Sequence, residues 1–142
     1  MKQLLTMTTD TLAAGTDANP LLTPSALPYG LPDFGAIQDH HFLPAFRAGM
    51  AAHRAELEAI ATDPSPVTFE NTVLAFERSG RALRRVSMVF HHLVAADGTD
   101  ARHRIEEEIS PELSAHQDAT YLDERLYRRL AGVDLEALTG ED

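Results

Sequence analysis

Residues 68–95, TFENTVLAFERSGRALRRVSMVFHHLVA, carry the pattern that decides the fold. Apolar or small residues recur there at steps of four and three, the spacing of one face of an α-helix that packs against other helices. The members of this seam are Phe69, Val73, Phe76, Gly80, Leu83, Ser87, Phe90 and Val94. Thr68 is a suitable N-cap. We therefore expect one helix from Thr68 to Ala95, with a neighbouring helix approaching closely at Gly80 and Ser87.

A similar pattern precedes it in residues 39–61. The face that recurs at steps of three and four consists of Phe42, Phe46, Met50, either His53 or Arg54, Leu57 and Ile60. Asp39 can cap the first turn, and Pro44 lies near the start, where a missing N–H does least harm. The segment TDPSP, residues 62–66, ends the helix.

Two further helices follow a turn at residues 96–100. The longer covers residues 100–120, and its apolar face consists of Ile105, Ile109, Leu113 and His116. Pro111 lies in its middle, and we expect a bend there because proline lacks an N–H and clashes with the preceding turn. Asp123 can cap a short last helix over residues 124–131.

Residues 19–38 contain four prolines and two glycines, which exclude a regular helix. The segment nevertheless holds Leu21, Leu22, Leu27, Tyr29, Leu31 and Phe34, which a free linker would not need. We expect an extended arm that packs across the helical body, with a loose tail as the alternative. Residues 1–18 are expected to be a flexible N-terminus. The helical domain covers residues 39–138, in which residues 134–138 can add one more turn.

No stretch shows the sustained β-branched alternation that is typical of strands. The sequence therefore predicts an all-α fold: an extended Pro-rich arm, then three long antiparallel helices and a short fourth helix. Together these form a partial helical bundle.

The composition excludes several classes of function. The 142-residue chain has a net charge of −10, so its surface would repel nucleic-acid phosphates and anionic membranes. It has no cysteine, which excludes disulfides and thiolate metal sites. Its apolar runs are shorter than the roughly 20 residues of a membrane span, and its start lacks the apolar stretch of a secretory signal. We expect a cytoplasmic protein with no nucleic-acid and no membrane partner.

Seven histidines raise the question of a metal site. His40–His41 and His91–His92 are adjacent pairs, and neighbours on a helix point about 100° apart, so one ion cannot readily take both. We interpret them as helix-end and surface residues and predict no metal ligand in this chain.

Charged side chains offer no clear catalytic grouping. The carboxylates of Glu106–Glu108 diverge around a helix, so we expect a solvated face paired with Arg102 and Arg104. A basic stripe runs along the second helix at Arg78, Arg81, Arg84 and Arg85. It could bind a substrate carboxylate or an acidic partner, but intrachain pairing with Asp and Glu is the simpler interpretation. Ser87 has no recognisable His–acid grouping, and no catalytic residue is predicted.

Longer strings resemble a known family. They are NPLLTPSALPYGLPDFGAI (19–37), HFLPAFRAGM (41–50), AELEAIATDPSPVTFENTVLAFERSG (55–80), RRVSMVFHHLVAADGTD (84–100) and ISPELSAHQDATYLDERLYRRL (109–130). In this order they look like the start of the thimet-oligopeptidase-like family, in its peptidyl-dipeptidase and oligopeptidase A branch.

The resemblance implies a part of a hydrolase. Proteins of that family are zinc metalloproteases, several times longer, whose catalytic half carries a His-Glu-x-x-His helix that binds zinc and activates water. No such motif occurs in these 142 residues. The family's N-terminal helices form one wall of a narrow channel that admits short peptides. We therefore predict the channel-wall portion of a zinc-dependent oligopeptidase, truncated, without a catalytic domain or a cofactor of its own and inactive alone.

Two alternatives stay open. The chain could be a non-enzymatic helical interaction module that docks on a separate peptidase chain, or self-associates, through exposed apolar faces. It could also be the vestigial product of a broken gene. A freestanding module would seal its own apolar surface, and the downstream reading frame would separate a vestige from a split enzyme.

Overall fold

The computed structural model describes residues 18–136. Its helices are α1 (Phe42–Ala61), α2 (Ala75–Arg78), α3 (Arg81–Ala96), α4 (Asp100–Tyr121) and α5 (Glu124–Ala131). Short 3₁₀ turns lie at Pro28–Gly30 and Asp39–His41, and a π-helical segment covers Phe69–Leu74. No strand occurs between residues 18 and 136, so the predicted all-α partial bundle is confirmed. The expected flexible N-terminus lies outside the described residues, apart from residue 18, as do the last two residues of the turn expected at 134–138.

The central helix is α1, and α3, α4 and α5 each pack against it. The largest fully buried side chains of the main core are Phe42, Phe46, Val86, Phe90 and Ile109. The ring of Phe90 meets those of Phe42 and Phe46 edge-on, with centroids 4.9 and 5.4 Å away, a favoured arrangement for aromatic pairs. A smaller cluster of Leu57, Ile60 and Leu126 joins α1 to α5. The apolar faces predicted for the first and third helices contribute to this core, and α3 completes it with Val86, Val89 and Phe90.

Helices α1 and α3 cross closely at Gly49. A Cβ atom added to Gly49 would lie 3.0 Å from the Cα atom of Leu83, inside the usual carbon–carbon separation of about 3.5–4.0 Å. The close approach predicted for the second helix therefore exists, but at this crossing the glycine that permits it belongs to α1.

The predicted continuous helix from Thr68 to Ala95 is wrong, because the chain breaks at Ser79 and Gly80. Ser79 is extended (φ −68°, ψ 157°) and Gly80 is left-handed (φ 71°, ψ 16°). The left-handed region costs an ordinary L-residue about 1–2 kcal/mol and glycine very little. The break interrupts the predicted seam, but its members Leu83, Phe90 and Val94 still pack on the main core from α3. The buried residues of α3 are Val86, Val89 and Phe90.

Two predicted caps are confirmed. Thr68 accepts a hydrogen bond through Oγ1 from the N–H of Asn71 at 3.1 Å, at the start of the π-helical segment. Asp123 accepts through Oδ1 from the N–H groups of Arg125 and Leu126 at 2.9 and 3.3 Å. Each side chain satisfies N–H groups that have no partner within the helix.

The predicted cap at Asp39 is wrong. Asp39 lies inside the 3₁₀ turn, and its Oδ1 accepts from Nε of Arg102 at 3.0 Å. Both partners of this bond carry a full charge, so it competes well with the bond that the carboxylate would make to a backbone N–H of the helix.

The Pro-rich arm packs on the body through few of its apolar residues. Leu21 is buried against the main core, and Asn19 fixes it there by donating through Nδ2 to the carbonyl of His41 at 2.8 Å. Ile37 also packs on this core. The expectation that the other apolar residues pack across the body is wrong: Leu22, Leu27, Tyr29, Leu31 and Phe34 are exposed. Ser25 closes the intervening loop by donating to the carbonyl of Leu31.

Helix α4 continues through Pro111 without interruption. Ser110 donates through Oγ to the carbonyl of Glu106 at 2.6 Å, a local bond that often accompanies helix bending. The bend at Pro111 stays a prediction.

None of the helices between residues 18 and 136 combines the length and the hydropathy needed to cross a lipid bilayer.

Candidate functional site

A groove of about 570 Å³ opens between α3 and α4, above α1. It exists because α3 and α4 each pack on α1 more than on each other. The residues lining it from α3 are Leu83, Arg84, Ser87 and Met88, and those from α4 are Leu113, His116, Gln117, Thr120 and Tyr121. Their spacing places each set on one face of its helix. Most of this lining is apolar, with polar groups at the floor.

His53 of α1 and His116 of α4 meet at the floor of the groove. Nδ1 of His53 lies 2.9 Å from Nε2 of His116, and Nε2 of His53 lies 3.2 Å from Oγ of Ser79. Oγ of Ser79 also donates to the carbonyl of Phe76 at 2.6 Å. A hydrogen-bonded row therefore links α4, through α1, to the break between α2 and α3.

The direction of these bonds follows from the carbonyl of Phe76, which can only accept. The single hydroxyl proton of Ser79 is used there, so Oγ accepts from Nε2–H of His53. A neutral His53 then accepts at Nδ1 from Nε2–H of His116. Nδ1 of His116 is left as a buried acceptor, with no partner among residues 18–136.

Both imidazoles favour the neutral form that this row requires. Burial lowers the pKa of His53 below its usual 6.5, Arg84 lowers it further, and Glu56 opposes the shift. Burial likewise lowers the pKa of His116, and the nearby His53 and Arg54 add to the effect. Desolvation disfavours a charged imidazole in each case.

Ser79, His53 and His116 follow one another in the order of a nucleophile, a base and an orienting group, but their hydrogen bonds are donated in the opposite direction. A general base must accept the proton of the serine, whereas His53 donates to Ser79. The N–H of Gly80, a potential oxyanion donor, is already bonded to Oε2 of Glu56 at 2.6 Å. The arrangement therefore holds three helices together and does not activate a nucleophile.

The same residues do not fit a zinc ion. The facing nitrogens of His53 and His116 share a proton and cannot both offer a lone pair to a metal. Between residues 18 and 136 no group of three or more His, Cys, Asp or Glu could hold a metal ion, and protein zinc sites use at least three such ligands. No hydrolytic step can be assigned to these side chains.

The histidines that sequence reasoning singled out lie elsewhere. His40 and His41 are in the 3₁₀ turn, where Nδ1 of His41 accepts from the N–H of Gln38 at 2.9 Å. His91 and His92 are exposed on α3. His53 and His116, which do meet, were each assigned to the apolar face of a predicted helix. Periodicity alone cannot show which faces meet.

The acidic run is a solvated face, with different partners from those predicted. Glu108 pairs with Arg47 of α1 at 2.9 Å. The predicted pairing with Arg102 is wrong, because Arg102 pairs with Asp39 and Asp97 at 3.0 and 3.6 Å. Arg102 lies in the first turn of α4, next to those carboxylates.

Among residues 18–136 the basic stripe is not paired with carboxylates as predicted. Arg84 donates through Nη2 to the carbonyls of Glu77 and Ser79, at 3.1 and 3.0 Å. The break in the helix leaves these carbonyls free of helical partners, and Arg84 is nearby. The arginines that form ion pairs within residues 18–136 are Arg47, Arg102, Arg125, Arg128 and Arg129. Arg78 and Arg81 are exposed and outside that set.

Comparison with known proteins gives three relatives. Over 118 residues the chain is 43% identical to a dipeptidyl carboxypeptidase of Escherichia coli K12, which covers 83% of this chain and 17% of the relative. It is 44% identical over 115 residues to a dipeptidyl carboxypeptidase of Salmonella typhimurium LT2, covering 81% of this chain and 17% of the relative. An oligopeptidase A of Salmonella typhimurium LT2 is 28% identical over 109 residues, 77% of this chain and 15% of the relative. No protein-family model matches the chain.

Proposed function

This chain is a homologue of part of the thimet-oligopeptidase-like peptidases, in the branch of dipeptidyl carboxypeptidase and oligopeptidase A, and from this premise we propose that it supplies part of the wall of a peptidase channel. The wall keeps the channel narrow, so that only short peptides enter it. The zinc site and the residues that cut the peptide bond belong to another region of the assembled enzyme. In this proposal the chain is the N-terminal helical portion of such an enzyme.

The observation that carries this proposal is the 43% identity to a dipeptidyl carboxypeptidase, extending over 83% of the chain. Because the chain spans only 17% of that relative's length, the remaining region has ample room for the catalytic machinery. The geometry of the groove also supports a wall function for this chain and a catalytic site elsewhere in the enzyme. Its polar floor groups bond to one another, as expected of a structural element and not of a catalytic centre.

The first test measures hydrolysis by the isolated chain. A fluorogenic short peptide should be stable in its presence, with or without added zinc, because residues 18–136 hold no credible ligand set. Turnover that a chelator abolishes, and that survives stringent purification, would contradict the proposal.

The second test is a chimera. The 118 matched residues of the Escherichia coli dipeptidyl carboxypeptidase are replaced by the corresponding residues of this chain. The chimera should release dipeptides in a chelator-sensitive reaction, and the same enzyme with the segment deleted should not. A folded chimera without activity would count against a shared wall function.

A further inference from the structure

The groove between α3 and α4 has the shape of a space that another helix of a bundle would fill. Both walls are helical faces that stand on α1. The wall residues of α3 run from Leu83 to Met88 and those of α4 from Leu113 to Tyr121, so α4 offers about 12 Å of wall at 1.5 Å per residue. That length matches two turns of a third helix lying in the groove.

The groove is apolar inside and basic along one rim. Met88 and Tyr121 line it, yet these residues are 73% and 72% exposed. Arg81, Arg84 and Met88 follow one another at i, i+3 and i+7, on one side of α3. This positive strip stands out on a chain whose net charge is −10, and the two arginines form no ion pair within residues 18–136.

We propose that this groove receives an amphipathic α-helix, with an acidic flank, from the remaining region of a peptidase of the matched kind. Resting on the proposed function, this inference names the partner of the wall. Apolar side chains of the helix enter between Met88, Leu113 and Tyr121, and its carboxylates meet Arg81 and Arg84.

An extended peptide fits this groove less well than a helix. The hydroxyl of Ser79, the ring nitrogens of His53 and the N–H of Gly80 are already engaged. The backbone of an extended peptide would find few partners at the floor, whereas a helix satisfies its own backbone groups.

A second copy of the chain fits less well too. In a symmetric dimer across the groove, the arginine rim of one copy, which forms no ion pair within residues 18–136, would face that of the other. An acidic helix, in contrast, complements the rim.

Thiol labelling tests the proposal, because the chain has no cysteine of its own. Met88→Cys places one thiol in the groove. Tyr127→Cys is the matched control, since Tyr127 is 70% exposed on α5 and does not line the groove. Maleimide labelling of each variant is measured by peptide-resolved mass spectrometry, in the isolated chain and in the chimera described above.

In the isolated chain we expect rapid labelling of both thiols. In the chimera, labelling at position 88 should be at least about tenfold slower. A tenfold decrease corresponds to about 1.4 kcal/mol of protection by the docked helix. Labelling at position 127 should not change. Equal labelling at position 88 in both settings would overturn the docking inference. If the chimera were active at the same time, the proposed function would still stand. An inactive chimera that protects position 88 would support docking and contradict the wall function.

Two further measurements decide the nature of the occupant. Arg81→Glu should restore labelling at position 88 in the chimera, whereas Arg104→Glu, an exposed arginine on α4 outside the groove, should not. Equal effects of the two reversals would rule out an acidic partner. Protection of position 88 in the isolated chain, together with a dimer in sedimentation, would show that the occupant is a second copy.

Discussion

Nδ1 of His53 and Nε2 of His116 lie 2.9 Å apart although 63 residues separate them in the chain. The bond joins the central helix to α4 at the floor of the groove. Its neighbour, the 3.2 Å contact of His53 with Ser79, joins the same helix to the break before α3. Two imidazoles therefore position both walls of the groove, provided that both stay neutral.

Stability should fall as the pH drops below about 6.5. The pKa of His53 and that of His116 are both lowered in the folded protein, so the unfolded chain binds protons first. The neutral histidines contribute fully above the unfolded value, and their contribution decreases as the pH falls from there towards the folded values. Urea unfolding at pH 7.5, 6.5 and 5.5 measures the loss. The acidic groups with lowered pKa have ordinary values of 4.5 or below and act at lower pH.

His116→Gln provides the comparison, because glutamine does not titrate. The variant should be less stable at pH 7.5 and should show a shallower decrease between pH 7.5 and 5.5. His92→Gln, at an exposed position, should keep the wild-type slope. An unchanged slope in His116→Gln would mean that this pair does not set the pH dependence.

Gly80→Ala should destabilise the protein by about 1–3 kcal/mol, from a left-handed backbone and a crowded side chain. The φ angle of Gly80 is 71°, and an added Cβ would lie 3.1 Å from Nε2 of His53. Gly30→Ala separates the two causes, since Gly30 has φ 66° and open space around its Cβ position. Chemical unfolding should show the larger loss at Gly80; a larger loss at Gly30 would contradict the crowding.

Gly49→Ala should also destabilise the protein, by about 1–3 kcal/mol, because the new Cβ would press against the backbone of Leu83. In an uncrowded helix the same change would stabilise by roughly 1 kcal/mol. The sign of the change in thermal unfolding therefore decides whether α1 and α3 are as close as the 3.0 Å separation indicates.

Arg102→Met should cost more stability than Arg47→Met. Arg102 is 17% exposed and joins the start of α4 to Asp39 and to the carbonyl of Asp97, so its loss should cost about 1–3 kcal/mol. Arg47 is 47% exposed and pairs with carboxylates on the surface, where solvent screening leaves little net stabilisation. Urea unfolding in low salt ranks the two, and the reverse order would refute the assignment.

Pro111→Ala should stabilise α4 by about 1–3 kcal/mol, because alanine restores an N–H for the carbonyl of Glu107 and favours the helix. Pro111 is exposed, so few contacts are lost. Thermal unfolding gives the magnitude. A destabilised variant would indicate that a bend at Pro111 is needed for packing on α1.

The sequence predicted the helices well because Phe42, Phe46 and Ile109 repeat at helical spacing and form the core. It missed the break at Ser79 and Gly80. A small residue at a seam position fits the helical spacing equally well when it allows a neighbouring helix to approach and when it interrupts its own helix. In the folded chain the N–H of Gly80 donates to Oε2 of Glu56, and the ring of His53 lies beside it. Helical periodicity does not predict such contacts between distant segments.

The site was harder to predict than the fold. His53 and His116 fitted apolar faces, but their pairing depends on the rotation of α1 and α4 about their axes. The partners of Arg102 and Arg84 were also missed, since loop carboxylates and freed carbonyls compete with the nearest charges in sequence. Tyr29 and Phe34 were expected to be covered, yet the prolines shape a loop that keeps them exposed.

The central position of α1 also matters while the chain is being made on the ribosome. Between residues 18 and 136 the α-helices that pack on α1 all follow it in sequence, so α1 leaves the exit tunnel before any of them. Until residues 81–96 emerge, the rings of Phe42 and Phe46 have no α3 to bury them. This interval is when a nascent chain is most open to chaperones and to aggregation, and a pause in translation just after residue 96 would lengthen it, because α3 would still be inside the tunnel.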